Sequence, residues 1–247
     1  MSFDYHSVAG DYQHRALHSG HPMQRFWHRG KLMMIDELIR PHLKAGSRLL
    51  EIGCGAGNLL LQATVKGSYP VALDLSMQAL NFVRSRLEEA KSSVEAPGAF
   101  VCTQAVGECL PFAEQSFDCI LISEVIEHLE APQSSIREAV RVLRAGGRLL
   151  ITTPNYRSFW PVMEWAVDRL DMAPKMAGEQ HISRFYPSSL QKLLRELGLT
   201  IEYAGSMYNL SPFLSLVTSE GAKRQLKREL DHRSSFGMIL VVVAIKP

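Results

Sequence analysis

No apolar run in the chain approaches the roughly 20 residues that a membrane-spanning helix needs. The longest, MILVVVAI near the C-terminus, falls far short of it. A secretory leader is missing too, because the opening MSFDYHSVAGDYQHR is polar and carries acids. Cysteine is scarce. Cys54, Cys102, Cys109 and Cys119 include no C-x-x-C pair, which argues against a disulfide framework or a zinc cluster and fits a reducing compartment. Nor does one sign of charge dominate. With 27 Lys and Arg against 25 Asp and Glu, the net charge of +2 is too near balance to argue for nucleic acid. The short KRQLKRE run reads as a solvated helix face. Repeats and low-complexity tracts are also absent. These absences predict a soluble, cytoplasmic protein.

What is present is an ordinary globular composition, 46% hydrophobic and 21% charged, which allows a sizeable core. Within 247 residues one large domain is expected, spanning 1–247. Between residues 46 and 155, short apolar runs alternate with helical patterns. SRLLEIG, YPVALDL, AFVCTQAV, FDCILIS and GGRLLITTP read as strands, with SMQALNFVRSRLEEAK and SIREAVRVLR among the helices between them. Strands apolar on both faces imply a parallel sheet covered on both sides. Right-handed crossovers then give a doubly wound α/β fold. LTIEYAG and GMILVVVAIKP add two strands, the last apolar enough to lie well covered. Residues 1–45, 156–186 and 207–235 fall outside the alternation. They are expected to be surface additions near the C-terminal edge of the sheet, where ligands bind in such folds.

The first strand runs into EIGCGAGN, which sets Gly53, Gly55 and Gly57 at a strand-to-helix turn. Glycines there permit positive φ and close approach of backbone to a ligand. The spacing is G-x-G-x-G, and Glu51 stands two residues before the first glycine. A carboxylate beside a helix N-terminus would oppose a dinucleotide's pyrophosphate. It would attract the ammonium and sulfonium of S-adenosylmethionine. Asp74 ends the second strand, near the spacing expected for an acid that binds ribose hydroxyls. It could equally cap the next helix, although Ser76 is available for that.

Taken in order, E-I-G-C-G-A-G-N, the strand-end Asp74, E-C-L-P-F-A-E-Q-S-F-D and R-V-L-R-A-G-G-R-L-L-I-T-T-P-N resemble class I S-adenosylmethionine-dependent methyltransferases. The likeness covers about residues 46–155. It resumes at EQHISRFYPSSLQKLLRELGL, residues 179–199, which is similar to ubiquinone-biosynthesis-type O-methyltransferases. The resemblance implies a Rossmann-like, seven-stranded sheet, mostly parallel with the last strand antiparallel, plus lid segments. It implies that Glu51, Gly53, Gly55 and Asp74 line the cofactor site. Many relatives carry an acid at the end of strand three, where this chain has Val106. The adenine would then rely on backbone groups of Val106 and Gly107, and on Glu108.

Methyl transfer from a sulfonium is an in-line displacement in which the cofactor supplies electrophile and leaving group. The protein aligns the acceptor, excludes water and, for a hydroxyl, removes a proton. The [DN]-P-P-[YF] of amino-methylating DNA enzymes is missing after strand four, where S-E-V-I stands. SEVIEHL there resembles the E-x-x-E-H segment of the ubiquinone-type enzymes and of small-RNA terminal 2′-O-methyltransferases. If helical, it puts Glu124, Glu127 and His128 on one face. The resemblance implies a divalent ion held by Glu124, Glu127, His128 and a distant His181, magnesium or a harder transition metal. The other readings stay open. His128 could be a general base with Glu124 beside it, or the acids could serve the fold and the helix dipole.

SFWPVMEWAVDRLDM, residues 158–172, places Glu164, Asp168 and Asp171 in one polar stripe among Phe159, Trp160, Val162, Met163, Val167 and Leu170. It could be a core helix, a lid over a lipophilic acceptor or a helix lying in a membrane interface. MYNLSPFLSLV, residues 207–217, adds a second apolar piece. Tyr5, Tyr12, His14, Arg25, Trp27 and His28 form a polar-aromatic N-terminal stretch with no assigned role. The expected activity is methylation of a small, lipophilic molecule at oxygen. Terminal RNA 2′-O-methylation and a non-catalytic, cofactor-binding partner subunit are the alternatives.

Overall fold

The alternation along the sequence becomes one sheet in a computed structural model that describes residues 9–94, 96–169 and 181–247. Its strands are β1 (Arg48–Ile52), β2 (Tyr69–Asp74), β3 (Val101–Gln104), β4 (Phe117–Ser123), β5 (Leu143–Pro154), β6 (Thr200–Met207) and β7 (Ile239–Ile245). They lie in the order β3-β2-β1-β4-β5-β7-β6. The pairs from β3 to β5 are parallel, and β7 runs antiparallel to both β5 and β6. This is the expected doubly wound, Rossmann-like, seven-stranded sheet. The strand order reverses between β1 and β4, so the ligand crevice of such a sheet opens beyond their C-terminal ends.

Side chains alternate across each strand. On β1, Leu49 and Glu51 point to one face, while Leu50 and Ile52 point to the other. The first face meets α2 (Pro22–Leu38), α3 (Asn58–Ala63), α4 (Met77–Ala90) and α9 (Ser219–Asp231) through a core that includes Met34, Ile35, Leu60, Leu80 and Leu226. The second meets α5 (Pro132–Val142) and α7 (Pro187–Glu196) through Ile136, Leu190 and Leu194.

Residues 1–45 and 207–235 are not mere surface additions. Within the described part of each, Phe26, Met34, Ile35, Met207, Tyr208, Ala222, Leu226 and Leu230 belong to the first core. Ala222, Leu226 and Leu230 recur every four residues, a narrow apolar stripe hidden in a charge-rich helix. Burying each leucine contributes about 1.5–3 kcal/mol. The charged face of α9 is solvated as expected. Lys223 pairs with Glu220, and Lys227 pairs with Glu37 and Asp231. Gly30 lets α2 come close to its neighbour, because a Cβ there would lie 2.6 Å from the Tyr208 hydroxyl.

The apolar 158–172 segment forms α6 (Trp160–Arg169). It is neither fully buried nor fully free. Trp160 and Met163 pack on the first core, while Phe159, Val162 and Trp165 are exposed. Leu170 and Asp171, like Tyr5, lie outside the described residues, as do the side chains of Glu164, Val167 and Asp168. In 207–217, Met207 and Tyr208 are buried and the short α8 (Ser211–Leu214) leaves Phe213 and Leu214 exposed.

Candidate functional site

The glycine loop leaves β1 with Gly53, Gly55 and Gly57 all at positive φ, 70°, 49° and 69°. The backbone amides of Gly53 and Cys54 donate to the Leu73 carbonyl at 2.8 and 3.0 Å, tying the loop to β2. Asp74 finishes that tie. Its Oδ2 accepts from the Gly55 amide and its Oδ1 from the Ser76 amide, both at 2.8 Å. Ser76, not Asp74, caps α4 by accepting from the Ala79 amide. A Cβ on Gly53 would stand 2.4 Å from Val125, so the loop also packs on the chain that follows β4.

Glu51 is buried on the same side, and its Oε2 accepts from the Leu60 amide in α3 at 2.9 Å. It meets no surface cation and instead holds the helix that starts after the loop. Burial first, then the charge of Asp74, push its carboxyl up to about 8. A cation brought beside it would favour the ionised form again. Val106 is exposed, and Glu108 is half-buried. Gly107 is pressed on α5, where a Cβ would lie 2.7 Å from Ser135 Oγ.

SEVIEHL is not an α-helix. Only Ile126–His128 turns, as a single 3-10 turn, and Glu124 precedes it with a left-handed φ of 55°. The expected common face of three side chains therefore splits. Glu124 Oε2 pairs with Lys31 Nζ of α2 at 2.5 Å, and its Oε1 is buried with no hydrogen-bond partner among the described residues. Glu127 turns inward, where Thr153 Oγ1 donates to its Oε2 at 3.0 Å and its Oε1 has no partner among the described residues.

The Glu127 carbonyl accepts from the amides of Ile182 and Ser183 at 2.8 and 2.9 Å. That brings His181 beside His128, their ring centroids 5.1 Å apart, and Tyr156 Oη lies 3.0 Å from His181 Nδ1. One ligand atom from each of Glu127, His128 and His181 lies within 4.8 Å of the others. Glu124 falls outside this trio, so the four-residue set expected from the sequence becomes three.

Burial, then the Glu124 charge, push the Glu127 carboxyl up to about 8. Glu51 and Glu127 thus both carry raised folded-state pKa values. Such groups contribute stability that is fully present below the unfolded pKa of about 4.5 and lost as pH rises through about 8. The ligand-free protein is expected to melt at a lower temperature at about pH 9 than at about pH 5.5, with Glu127→Gln flattening the slope. Scanning calorimetry across that range checks it.

Rings from separate segments continue outward from the trio. Trp160 lies 6.1 Å from His181, Trp27 lies 5.8 Å from Trp160, and Tyr208 stacks on Trp27 at 4.3 Å. The N-terminal α1 (Tyr12–Ala16) crosses the glycine loop, where Gln13 Oε1 accepts weakly from the Ala56 amide at 3.5 Å. Sequence reasoning gave no role to Lys31, Gln13, Trp27 or Tyr208. Only Lys31 left a signal, as a lone lysine among the apolar residues of GKLMMI.

Residues 50–151 match the family model described as a methyltransferase domain. Two similar proteins are both named ubiquinone biosynthesis O-methyltransferase. One, from Dechloromonas aromatica, is 29% identical over 199 residues, covering 79% of this chain and 78% of the relative. The other, from Aromatoleum aromaticum, is 28% identical over 183 residues, covering 72% and 74%. Among solved structures, the magnesium protoporphyrin IX methyltransferase of Synechocystis aligns with a TM-score of 0.66 at 16% identity, covering 98% of this chain and 96% of its own. The [4+2]-cyclase SpnF aligns at 0.60 and 17%, covering 89% and 81%. A cyclase on this fold means that the site, not the architecture, must carry the functional argument.

Proposed function

We propose that this class I S-adenosylmethionine-dependent methyltransferase moves the donor's methyl group onto an oxygen of a small, lipophilic molecule. The observation that carries the reading is that Val125, which lies in the chain between Glu124 and the Glu127–His128 part of the trio, packs on the positive-φ glycine loop where β1 and β4 end. Supporting it are the names of the relatives, both O-methyltransferases of ubiquinone biosynthesis. The rings of Trp27, Trp160 and Tyr156 suit an apolar acceptor, and so do the exposed apolar side chains of α6.

On this reading Glu51, Gly53, Gly55 and Asp74 hold the donor, with Glu51 near the cationic end. Backbone at Val106 and Gly107, with Glu108, borders the adenine. His128 and Glu124 handle the acceptor proton and its orientation. The donor set also fits a divalent ion, since Glu127 Oε1 is buried beside two imidazoles with no hydrogen-bond partner among the described residues. One carboxylate and two imidazoles suit a first-row transition ion better than magnesium, which favours oxygen ligands. A bound ion would lower the acceptor hydroxyl's pKa. No helix among the described residues is long and apolar enough to cross a membrane.

The test is calorimetric binding of S-adenosylhomocysteine, then transfer of labelled methyl to a panel of phenols, catechols, carboxylic acids, amines and short RNA ends, with and without chelator. Binding together with methylation of a hydroxyl compound is expected. Failure to bind the product sinks the reading. Turnover confined to RNA ends selects the RNA alternative, and binding without any turnover selects the non-catalytic one. Unchanged turnover after exhaustive chelation removes the metal alone.

A further inference from the structure

We propose that Lys31 is a positioning residue for methyl transfer, reaching from the N-terminal helix to set the Glu124 carboxylate at the acceptor end of β4. The proposal rests on the reading of Glu124 as an acceptor-handling group.

Lys31 is buried in the middle of α2, among residues that otherwise pack a hydrophobic core. A lysine there is costly unless its ammonium is paired, and an apolar residue of similar volume would serve packing better. The ammonium meets one oxygen of Glu124, 93 residues away in sequence, at 2.5 Å. The other oxygen is buried and has no hydrogen-bond partner among the described residues. A carboxylate with one oxygen anchored and one unsatisfied is oriented for a second contact.

The backbone agrees. Glu124 holds a left-handed φ, which costs a non-glycine residue on the order of 1 kcal/mol, and strain of this kind collects at functional positions. Its amide donates to the Thr152 carbonyl at 2.9 Å, fixing the turn to β5. Next in sequence, Val125 touches the glycine loop at Gly53. Glu124 thus shares one short segment with Val125, which packs on the glycine loop, and with Glu127 and His128 of the trio.

Lys31 is itself held from behind. Tyr208 Oη donates to the Trp27 carbonyl, one turn back on α2, and the Tyr208 ring fills the gap that Gly30 leaves. His28, also on α2, is pushed down to about 4 by burial and then by the neighbouring Lys31. A single ammonium, fixed by the helix, is aimed at a single oxygen.

A purely structural ion pair would join α2 to the sheet without affecting turnover, and kinetics separates the two roles. Lys31→Met, Lys31→Arg, Glu124→Gln and the double variant Lys31→Met with Glu124→Gln are compared in the full chain. The assay uses labelled S-adenosylmethionine and the catechol 3,4-dihydroxybenzoate, or the fastest hydroxyl acceptor of the panel. Lys31→Met is expected to lower kcat by about tenfold with the S-adenosylhomocysteine Kd within about twofold of wild type. Lys31→Arg should recover most of that loss, and the double variant should be no slower than Glu124→Gln within about twofold.

A crystal structure of Lys31→Met with bound S-adenosylhomocysteine is expected to show the Glu124 carboxylate turned away from its wild-type position. Full activity in Glu124→Gln would defeat the acceptor-handling reading and the proposal with it. Impaired Glu124→Gln beside unimpaired Lys31→Met, additive losses in the double variant, or an unmoved Glu124 in the crystal would overturn the role of Lys31 alone. If Lys31→Met does not fold, Lys31→Arg decides: kcat at the Glu124→Gln level overturns the proposal, and near-wild-type kcat supports it.

Discussion

Glu229→Ala is expected to cost the fold on the order of 3 to 5 kcal/mol, the range for orphaning several buried polar groups at once. Glu229 is buried on α9, and its carboxylate takes almost every donor of one turn. Oε2 accepts from the amides of Tyr208 and Asn209 at 2.8 and 3.1 Å and from Ser211 Oγ at 2.9 Å. Oε1 accepts from the amides of Leu210 and Ser211 at 2.9 and 3.0 Å. An anion in that place satisfies the amides that open α8. It also holds Tyr208 in a left-handed φ of 68°. Alanine leaves these donors without their acceptor, those of Tyr208 and Ser211 in a buried setting, whereas glutamine keeps an acceptor but turns an NH2 group toward amides. For a chain of this size the alanine variant should melt about 10 °C lower, with glutamine intermediate. Thermal and urea unfolding measure it, and a loss below about 1 kcal/mol would mean that the carboxylate is replaceable by solvent. Because Tyr208 braces α2, the same variant should loosen Lys31 and its pairing with Glu124.

Gly53→Ala is expected to weaken S-adenosylhomocysteine binding by about 100-fold or more, which corresponds to roughly 3 kcal/mol. Two penalties combine. Alanine at φ 70° is strained by about 1 kcal/mol, and its Cβ would lie 2.4 Å from a Val125 methyl. Something must shift, either the Val125 side chain or the loop that Asp74 and the Leu73 carbonyl hold together. Gly46→Ala is the control. Gly46 has a φ of 86° but nothing within 4 Å of a Cβ, so that variant carries the strain without the collision. It should lose about 1 kcal/mol of stability and keep its affinity for the ligand. Equal affinity in the Gly53 variant would remove the glycine loop from the donor site.

Legibility followed the range of the interaction. FDCILIS became β4 residue for residue, and the other strands lie within the apolar runs that announced them, apart from a few residues at their ends. Periodicity and burial are local signals, and a two-faced parallel sheet writes them strongly. SEVIEHL misled for a related reason. Spacings of three and four fit a helix, but a left-handed Glu124 breaks it, and nothing in E-V-I-E-H announces that φ. KRQLKRE read correctly as a solvated face, yet it hid Leu226 and Glu229, one in the core and one capping a distant turn. The sequence likeness also supplied His181, which local spacing could not connect to His128.

By itself, then, the sequence determined the sheet, the glycine loop, the acids Glu51 and Asp74 beside it, and the kind of donor those groups suit. Each depends on neighbours close in the chain. Tertiary structure decided the rest. It took Glu124 away from Glu127 and gave it to Lys31, brought His181 to His128, and stacked Tyr208, held by Glu229, on Trp27. These pairings span tens to nearly two hundred residues, and a buried charge selects its partner only when the packed fold excludes water and fixes which opposite charge lies within reach.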